Sequence, residues 1–335
     1  MNISEFAKLA GVSVSAVSRY FNDGYLSAEK RAAIETAIDK TGYAPSLSAR
    51  SVRTRVTKLV GVILPKLSSE SCAKVTEGIS EVLNAQGYEL LLVNTSNSTE
   101  KEIKSIKLFS QNRVDGVILL GAVFTKAHFA ALNKMCVPVV IVGQNIKGFN
   151  CVFHNDAGAA YALTKHMLEK GAKKFAIIAA TPDDLAAGKA RYDGFMKALI
   201  EANITIDKKY IEIARFDMES GYEKAKRIFS HKERPDAVFC ATDNMAAGAM
   251  FYFREAGLNV PGDVMICGVG DSNIGKITSA PLTSAHFHYK TAGMEAASML
   301  LSSMQHKSPV HKVLQLDYYI AERESTNRKQ KCENI

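Results

Sequence analysis

Residues 2–23 read NISEFAKLAGVSVSAVSRYFND, and their pattern predicts the structure of the N-terminal part of the chain. Asn2 followed by Glu5 three residues later is typical of a helix start, and apolar residues then recur at helical spacing. Gly11 predicts a turn, after which Ser13 can cap a second helix. The pattern therefore predicts two short helices that are joined by a glycine turn.

A third helix is predicted to begin near Ser27 and to stop at Gly42. Three short helices with a glycine between the first two describe a helix-turn-helix unit. Its second helix would bury one stripe and offer the other to base edges in the major groove of DNA. Arg19 has the paired donors that match guanine, and Val14 is suited to a thymine methyl group. The alternative is a small helical cap whose serines and arginine are merely solvated.

The charge distribution favours DNA binding over that alternative. Residues 1–58 hold 9 Lys or Arg against 5 Asp or Glu, a net charge of +4, which is half of the formal +8 of the whole chain. A basic excess concentrated in so short a segment indicates a polyanionic partner. Ser13 and Ser18 are suited to phosphate oxygens, which set the register along a duplex. We therefore predict that this unit binds double-stranded DNA.

The segment that follows, YAPSLSARSVRTRVTK, is predicted to be a hinge. Pro45 breaks the helical pattern, and residues 46–52 can form only one short helix, which is marginal in water by itself. Such a helix could order on DNA or against a copy of itself. The chain is therefore predicted to consist of a helix-turn-helix domain over 1–44, a hinge over 45–58 and a large core over 59–335.

In the core, short apolar runs alternate with helical stretches. Because the runs are apolar throughout, they predict parallel strands that are covered by helices on both faces. The pattern restarts near residue 157, so the predicted fold class is α/β, with two doubly wound parallel-sheet lobes and a cleft between them. The predicted strands are Leu59–Leu64, Glu89–Asn94, Gly116–Leu120, Val139–Val142, Phe175–Ala180, Ala237–Ala241 and Met265–Val269.

These features make the chain resemble the lac-repressor/galactose-repressor (LacI/GalR) family of bacterial transcription regulators. The motif GVSVSAVSR after AKLA, the YAPSLSAR hinge and the alternating core carry the resemblance, which covers essentially the whole chain. Residues 268–301 look most like sucrose-operon repressors. The resemblance implies a periplasmic-binding-protein-like core and a homodimer on pseudo-palindromic operator DNA.

The resemblance also implies how the hinge contacts DNA. Paired hinge helices in the family open the minor groove at the operator centre, and each inserts one apolar side chain, which by position is Val52 here. The recognition positions that carry over are Val14, Ser15 and Arg19. The predicted DNA-binding residues are Ser13, Val14, Ser15, Ser18, Arg19, Asn22, Ala49 and Val52.

By analogy with the family, the chain is expected to cross between the lobes near residues 155, 285 and 314. The first lobe would then comprise about 59–155 and 286–313, and the second about 156–285 and 314–325. Ligands of such sheets lie beyond the carboxyl ends of the strands, in the crevice between the lobes.

Residues at strand ends are therefore the candidates for effector binding. Arg191, in AAGKARYDGF, matches the arginine that contacts sugar hydroxyls in family members; the alternative is a surface arginine paired with Asp183 or Asp184. Asp243 could equally cap the next helix. Phe216 could stack on a sugar ring. The predicted effector-binding residues are Gln144, Arg191, Phe216, Asp243, Asp271 and Phe287.

Two positions depart from the family pattern. Gly270 precedes Asp271 where relatives often have two aspartates, and Gly143 stands where some carry an aspartate. Fewer carboxylates predict a ligand unlike those of such relatives, for instance one with its own negative charge. Lys66 could meet a phosphate, although a solvated lysine is the stronger interpretation.

Enzymatic readings find little support. The motifs G-x-x-x-x-G-K-[ST], G-x-S-x-G and H-E-x-x-H are absent, and we expect no catalytic residues, metal or cofactor. Histidines 154, 286 and 288 are interpreted as structural. Six scattered cysteines indicate reduced thiols, and without a signal-like start or an apolar run of ~20 residues we expect a cytoplasmic protein with no membrane partner.

The sequence thus predicts a homodimeric repressor of a sugar-utilisation operon, of sucrose or fructose type, that is relieved by a sugar or sugar phosphate in the cleft. The alternative is a regulator whose DNA binding is enhanced by a small-molecule or phosphocarrier-protein corepressor. A sugar transport component would need an export signal, and a sugar-modifying enzyme would show turnover. Tetramers are not expected, because the C-terminus has no leucine heptads.

Overall fold

The structure, a computed structural model, describes residues 1–21, 24–43, 56–111, 114–305 and 310–328. The chain divides into two compact units, Met1–Lys58 and Leu59–Ile335. Three predicted DNA-binding residues, Asn22, Ala49 and Val52, lie outside the described residues, as does the expected hinge helix.

The N-terminal unit contains three helices: α1 (Ile3–Leu9), α2 (Val14–Tyr20) and α3 (Ala28–Thr41). At the start of α1 the backbone N–H of Glu5 donates to Asn2 Oδ1, and the backbone N–H of Asn2 donates to Glu5 Oε2, each at 2.9 Å. Gly11 has a φ of +67°, the left-handed conformation that glycine adopts most easily, so the chain can turn sharply into α2. The predicted helix-turn-helix is confirmed.

A small apolar core holds these helices together. Phe6, Val17 and Ile34, one from each helix, are fully buried. Tyr43 stacks on Phe6 with ring centroids 4.1 Å apart. Burial of these side chains from all three helices stabilises elements that would be marginal alone.

The second unit contains two sheets of six strands, and the predicted fold class is confirmed. The first sheet has the order β11-β5-β4-β3-β1-β2 and is parallel throughout, and the second has the order β12-β10-β9-β8-β6-β7 with only β12 antiparallel. The strands are β1 (Leu59–Leu64), β2 (Glu89–Asn94), β3 (Gly116–Leu120), β4 (Val139–Val142), β5 (Asn150–His154), β6 (Phe175–Ala179), β7 (Ile211–Ile213), β8 (Ala237–Cys240), β9 (Met265–Val269), β10 (Thr283–Phe287), β11 (Val313–Leu316) and β12 (Tyr318–Ala321).

Helices flank these sheets and bury their apolar faces. The helices are α4 (Glu70–Ala85), α5 (Thr99–Gln111), α6 (Lys126–Leu132), α7 (Asp156–Glu169), α8 (Arg191–Glu201), α9 (Met218–Phe229), α10 (Asp243–Glu255), α11 (Asn273–Lys276) and α12 (Tyr289–Gln305). A π-helical segment, Leu185–Ala190, leads directly into α8. Within the described ranges, no helix is both long and apolar enough to cross a membrane.

The chain passes between the two lobes at Asn155, His288 and Asp317. β10 belongs to the second sheet, and β11 belongs to the first. The last two crossings therefore lie further along the chain than the expected positions near 285 and 314. The expected positions rested on analogy with the family, because neither β10 nor β11 was recognised from the sequence.

Candidate functional site

Helix α2 presents one face to the core and the other to solvent. Ala16 and Val17 are buried, while Val14, Ser15 and Arg19 are exposed. No carboxylate of the described residues forms an ion pair with the Arg19 guanidinium. The exposed face therefore offers the methyl groups of Val14, the hydroxyl of Ser15 and the guanidinium of Arg19, which are groups that can contact base edges.

The predicted serines of this unit differ in their surroundings. The hydroxyl of Ser13 accepts a hydrogen bond from the backbone N–H of Ala16 at 3.2 Å and lies 2.9 Å from the hydroxyl of Ser15. Ser13 therefore caps α2, and Ser18 is half-buried. Both serines lie on or next to the exposed face of α2.

The second unit contains a cavity of about 260 Å³ between its two lobes. It is lined by residues that follow strands of both sheets, as expected for parallel sheets that face each other with their carboxyl ends. Five of the six predicted effector-binding residues line it, namely Gln144, Arg191, Phe216, Asp243 and Phe287, and so do residues that were not predicted, including Glu70, Cys72, His154, Asp156, Asp184 and Ser272.

Arg191 is buried and its charge is paired. Its Nε donates to Asp156 Oδ1 at 2.8 Å, its Nη1 donates to the carbonyl of Ala241, and its guanidinium lies 5.4 Å from the ring centroid of Phe287. The alternative of a surface arginine paired with Asp183 or Asp184 is therefore wrong. Burial lowers the pKa of Arg191, but the surrounding charges, first that of the Asp156 carboxylate, together outweigh burial and raise it, so the guanidinium stays charged.

The π-helical segment before α8 places Asp184 beside this arginine. Gly188 packs directly on the carbonyl of Thr181, and a side chain at that position would collide with it. Asp184 Oδ1 accepts from the backbone N–H groups of Ala186 and Ala187 at 3.0 and 2.9 Å. The segment is therefore held in place at both ends.

Asp184 also links the two lobes. Its Oδ1 accepts a hydrogen bond from Gln144 Nε2 at 3.2 Å, although Gln144 follows β4 in the first lobe. The backbone of Asp184 also forms a β-bridge with Val123, which, like Gln144, belongs to the first lobe. Gln144 Nε2 donates in addition to the carbonyl of Ala122. The side chain of Gln144 is thus fixed with its amide nitrogen in use.

Asp243 is buried and bonds to neighbouring strands. Its Oδ2 accepts from the backbone N–H of Ser272 at 2.6 Å, and its Oδ1 accepts from the hydroxyl of Ser284 at 2.6 Å. The cap of α10 is Thr242, whose hydroxyl accepts from the N–H of Met245 at 3.4 Å. The capping alternative for Asp243 is therefore wrong, because this carboxylate orders the segment after β9.

Asp271 does not line the cavity, contrary to the prediction. Its Oδ1 lies 2.5 Å from Arg323 Nη2, and its Oδ2 lies 2.9 Å from His286 Nδ1. Burial raises the pKa of Asp271, but the bonds from His286 and Arg323 outweigh burial and lower it. Both carboxylate oxygens are engaged in the second lobe, so we remove Asp271 from the candidate ligand contacts.

Four carboxylates lie in the cavity lining at positions other than Gly143 and Gly270. Glu70, Asp156, Asp184 and Asp243 all line the cavity. Burial raises the pKa of each of the three aspartates. Sequence reasoning missed Asp156 and Glu70 because they lie in the first turns of α7 and α4, where acidic residues are common for reasons of helix stability alone.

His154 ends β5 at the crossing between the lobes. Its ring is stacked on Phe287, with centroids 4.6 Å apart and planes inclined by 8°. Burial, together with the charge of Arg191, lowers the pKa of His154 to about 4, and a hydrogen bond to the backbone of His288 opposes this effect only in part. The imidazole is therefore neutral at physiological pH.

Comparison with known families gives two matches. The model described as "Bacterial regulatory proteins, lacI family" matches residues 2–46, and the model described as "Periplasmic binding protein-like domain" matches residues 164–326.

Full-length relatives are similar along most of the chain. The HTH-type transcriptional repressor PurR of Haemophilus influenzae (strain PittEE) is 33% identical over 309 residues, which is 91% of each chain. PurR of Pasteurella multocida (strain Pm70) is 32% identical over 318 residues, which is 94% of this chain and 95% of the relative. These matches do not support the narrower resemblance to sucrose-operon repressors.

Solved structures agree on the architecture. A lac repressor dimer bound to operator and the anti-inducer ONPF superposes with a TM-score of 0.87 at 21% identity, covering 97% of this chain and 99% of that chain. A complex of the transcriptional regulator CelR with cellobiose gives a TM-score of 0.75 at 26% identity, with the same coverage. The likeness extends over both the N-terminal helices and the two-lobed core.

Proposed function

We propose that this chain, which belongs to the lacI family of bacterial regulatory proteins, represses a sugar-utilisation operon and releases its operator when a small sugar binds in the cleft. Family membership makes the chain a DNA-binding transcriptional repressor with a ligand-binding core. The sugar, the operon and the direction of control are the parts that we propose.

The proposed DNA interface is the exposed face of α2. Val14, Ser15 and Arg19 would read base edges, and Ser13 and Ser18 would contact phosphates. Their exposure beside the buried Ala16 and Val17 supports this assignment. The contact proposed for Val52 rests on the family resemblance, and those proposed for Asn22 and Ala49 rest on their positions in the sequence.

A homodimer is proposed because each copy supplies one such helix and a pseudo-palindromic operator offers two half-sites. Exposed apolar side chains on the core support it. Leu91 and Leu92 are 44% and 37% exposed on β2, which is an edge strand of the first sheet. Phe251 and Ile277 are 44% and 78% exposed on the second lobe. Sedimentation equilibrium at micromolar concentration should give the mass of two chains.

The sugar response rests on one observation: the cavity between the lobes combines polar groups with aromatic rings. Gln144, Arg191 and Asp243 lie in the same lining as Phe216 and Phe287. Aromatic rings pack on the apolar face of a sugar, and polar groups bond to its hydroxyls, so such a lining suits a carbohydrate. The cellobiose bound to the similar regulator CelR supports this ligand class.

Operator binding with and without sugars tests the proposal. Fluorescence anisotropy would follow binding of the full chain to duplexes that tile the DNA upstream of its own gene, with sucrose, D-fructose and cellobiose added in turn. One duplex should bind with an affinity that falls steeply with salt, and at least one sugar should release it. Stronger binding with a sugar would reverse the proposed direction of control. Binding unaffected by every sugar would refute the sugar response.

A further inference from the structure

Four covered polar atoms in the cavity lining have no hydrogen-bond partner among the described residues. One of them, Glu70 Oε1, forms an ion pair with Lys74, which leaves three: Gln144 Oε1, His154 Nε2 and Ser272 Oγ. Gln144 and His154 are only 3% and 5% exposed. Buried polar atoms are nearly always hydrogen-bonded, because an unpaired one costs the free energy of its lost hydration. Three in one lining therefore indicate partners that a bound molecule supplies.

The chemistry of these atoms limits what the molecule can be. The amide nitrogen of Gln144 already donates to Ala122 and Asp184, so its oxygen is left as an acceptor. The ring of His154 is neutral and forms a hydrogen bond with the backbone of His288. This bond raises the pKa of the His154 ring, as expected when the backbone group is a carbonyl that accepts the ring proton. That bond holds the ring proton, so the opposite nitrogen, Nε2, is also an acceptor. The hydroxyl of Ser272 can accept or donate.

Two of the three cations of the lining are already paired. Arg191 bonds to Asp156 and to the carbonyl of Ala241, and Lys74 lies 2.8 Å from Glu70 Oε1. Lys66 also lines the cavity, but it shares the lining with four carboxylate side chains. A phosphate group needs several free donors, and in this lining the four carboxylates would oppose its charge.

We infer that the cavity selects a neutral ligand with several hydroxyl or amino donors and discriminates against its phosphorylated form. Gln144, His154 and Ser272 are the residues that read these donors. The inference deepens the proposed function, because it rests on ligand binding in the same cleft and assigns an unphosphorylated sugar to it.

Binding of matched pairs tests the discrimination. Isothermal titration of the full chain at pH 7.5 would compare sucrose with sucrose 6-phosphate, D-fructose with D-fructose 6-phosphate and D-glucose with D-glucose 6-phosphate. Adenine and hypoxanthine serve as neutral donors that are not sugars. At least one neutral compound should bind, and any phosphorylated partner should bind at least roughly tenfold more weakly, as expected for the loss of one or two good polar contacts.

Variants of Ser272 test which atoms read the donors. Ser272→Ala should lower the affinity for whichever compound binds by roughly threefold to tenfold, which corresponds to the loss of one hydrogen bond. Ser272→Thr keeps the hydroxyl and should retain most of the affinity. Ser272→Ala also removes a hydroxyl that lies beside the Asp243 carboxylate, so the melting temperature of each unliganded variant is measured as well, to separate a loss of stability from the loss of a ligand contact. Unchanged affinity in Ser272→Ala would remove Ser272 from the inference.

The outcomes separate the two proposals. Binding of adenine or hypoxanthine without any sugar would refute the sugar response and leave the neutral-ligand inference standing. A phosphorylated sugar that binds as tightly as its neutral partner, or more tightly, would overturn the inference and leave the sugar response standing. If no compound of the panel binds, both fail.

Discussion

Acidification should destabilise the core through His154. In the folded chain its pKa is about 4, whereas its ordinary value is 6.5. Between these values the unfolded chain binds more protons than the folded chain, so the free energy of unfolding must fall as the pH falls. Each unit of pKa difference is worth about 1.4 kcal/mol, so this residue alone should cost about 2 kcal/mol between pH 7 and pH 5.

The assay is urea unfolding followed by circular dichroism at several pH values from 7.5 to 5. The test is a difference between variants, because every group other than His154 then contributes equally to both. His154→Phe keeps a ring that can stack on Phe287 but cannot titrate. The free energy of unfolding of this variant should fall by about 2 kcal/mol less than that of wild type over the same pH range. His311 is exposed, and His311→Gln is the matched control that should follow wild type.

Equal pH dependence in wild type and His154→Phe would refute the reasoning. It would mean that His154 is solvated or has a stable partner when protonated. In that case Nε2 could no longer be assigned as an acceptor at neutral pH. The unfolding experiment therefore tests a premise of the ligand inference without requiring any ligand.

Three further outcomes follow from the structure. Arg19→Ala should lose ~1–3 kcal/mol of discrimination at one base pair, which competition between operator and random DNA would measure. An equal loss of affinity for both DNAs would show that Arg19 contacts only phosphate. Arg191→Ala should lower the free energy of unfolding by ~3–5 kcal/mol in urea titrations, because it leaves the Asp156 carboxylate buried without its cation. Asp271 has a lowered pKa, so its contribution to stability is present above its ordinary value of 3.8 and is lost at lower pH; Asp271→Asn should therefore reduce the loss of stability on acidification below that value, as acid titration followed by circular dichroism would show.

Much of the fold could be predicted from the sequence because the long strands are apolar throughout. The strands that were missed are of two kinds. β7, β11 and β12 are edge strands, which are short and partly exposed, so no continuous apolar run marks them. β5 and β10 are interior strands, but they carry polar residues near the crossings between the lobes. One of these polar residues, His154, lines the cavity, and its polarity makes β5 hard to recognise as a strand from the sequence.

The site was predictable to a smaller extent. Strand-end position was enough to find Gln144 and Asp243, which the cavity brings together. The same argument failed for Asp271, because its carboxylate is held by Arg323, a residue that arrives from the C-terminal end of the chain. Local sequence contains no sign of that partner. The pairing of Arg191 with Asp156 was missed for the same reason.

The polar contacts of the cavity are too weak to control DNA binding alone. Inverting a lobe equilibrium from 1:99 to 99:1 needs a ligand that prefers one state by ~5.5 kcal/mol. Three hydrogen bonds to Gln144, His154 and Ser272 supply ~1.5–4.5 kcal/mol even if all of them form in one state only. The remainder must come from apolar contact, for which Phe216 offers a half-buried phenyl ring in the lining.

Phe216→Ala should therefore convert full release of the operator into partial release at saturating ligand, and not merely shift the midpoint of the titration. Saturation removes the effect of weaker binding, so what remains measures how strongly the ligand prefers one arrangement of the lobes. Anisotropy of an operator duplex at saturating ligand would show a residual bound fraction in the variant. Complete release would mean that the ring binds the ligand equally in both states, and that the preference lies elsewhere in the lining.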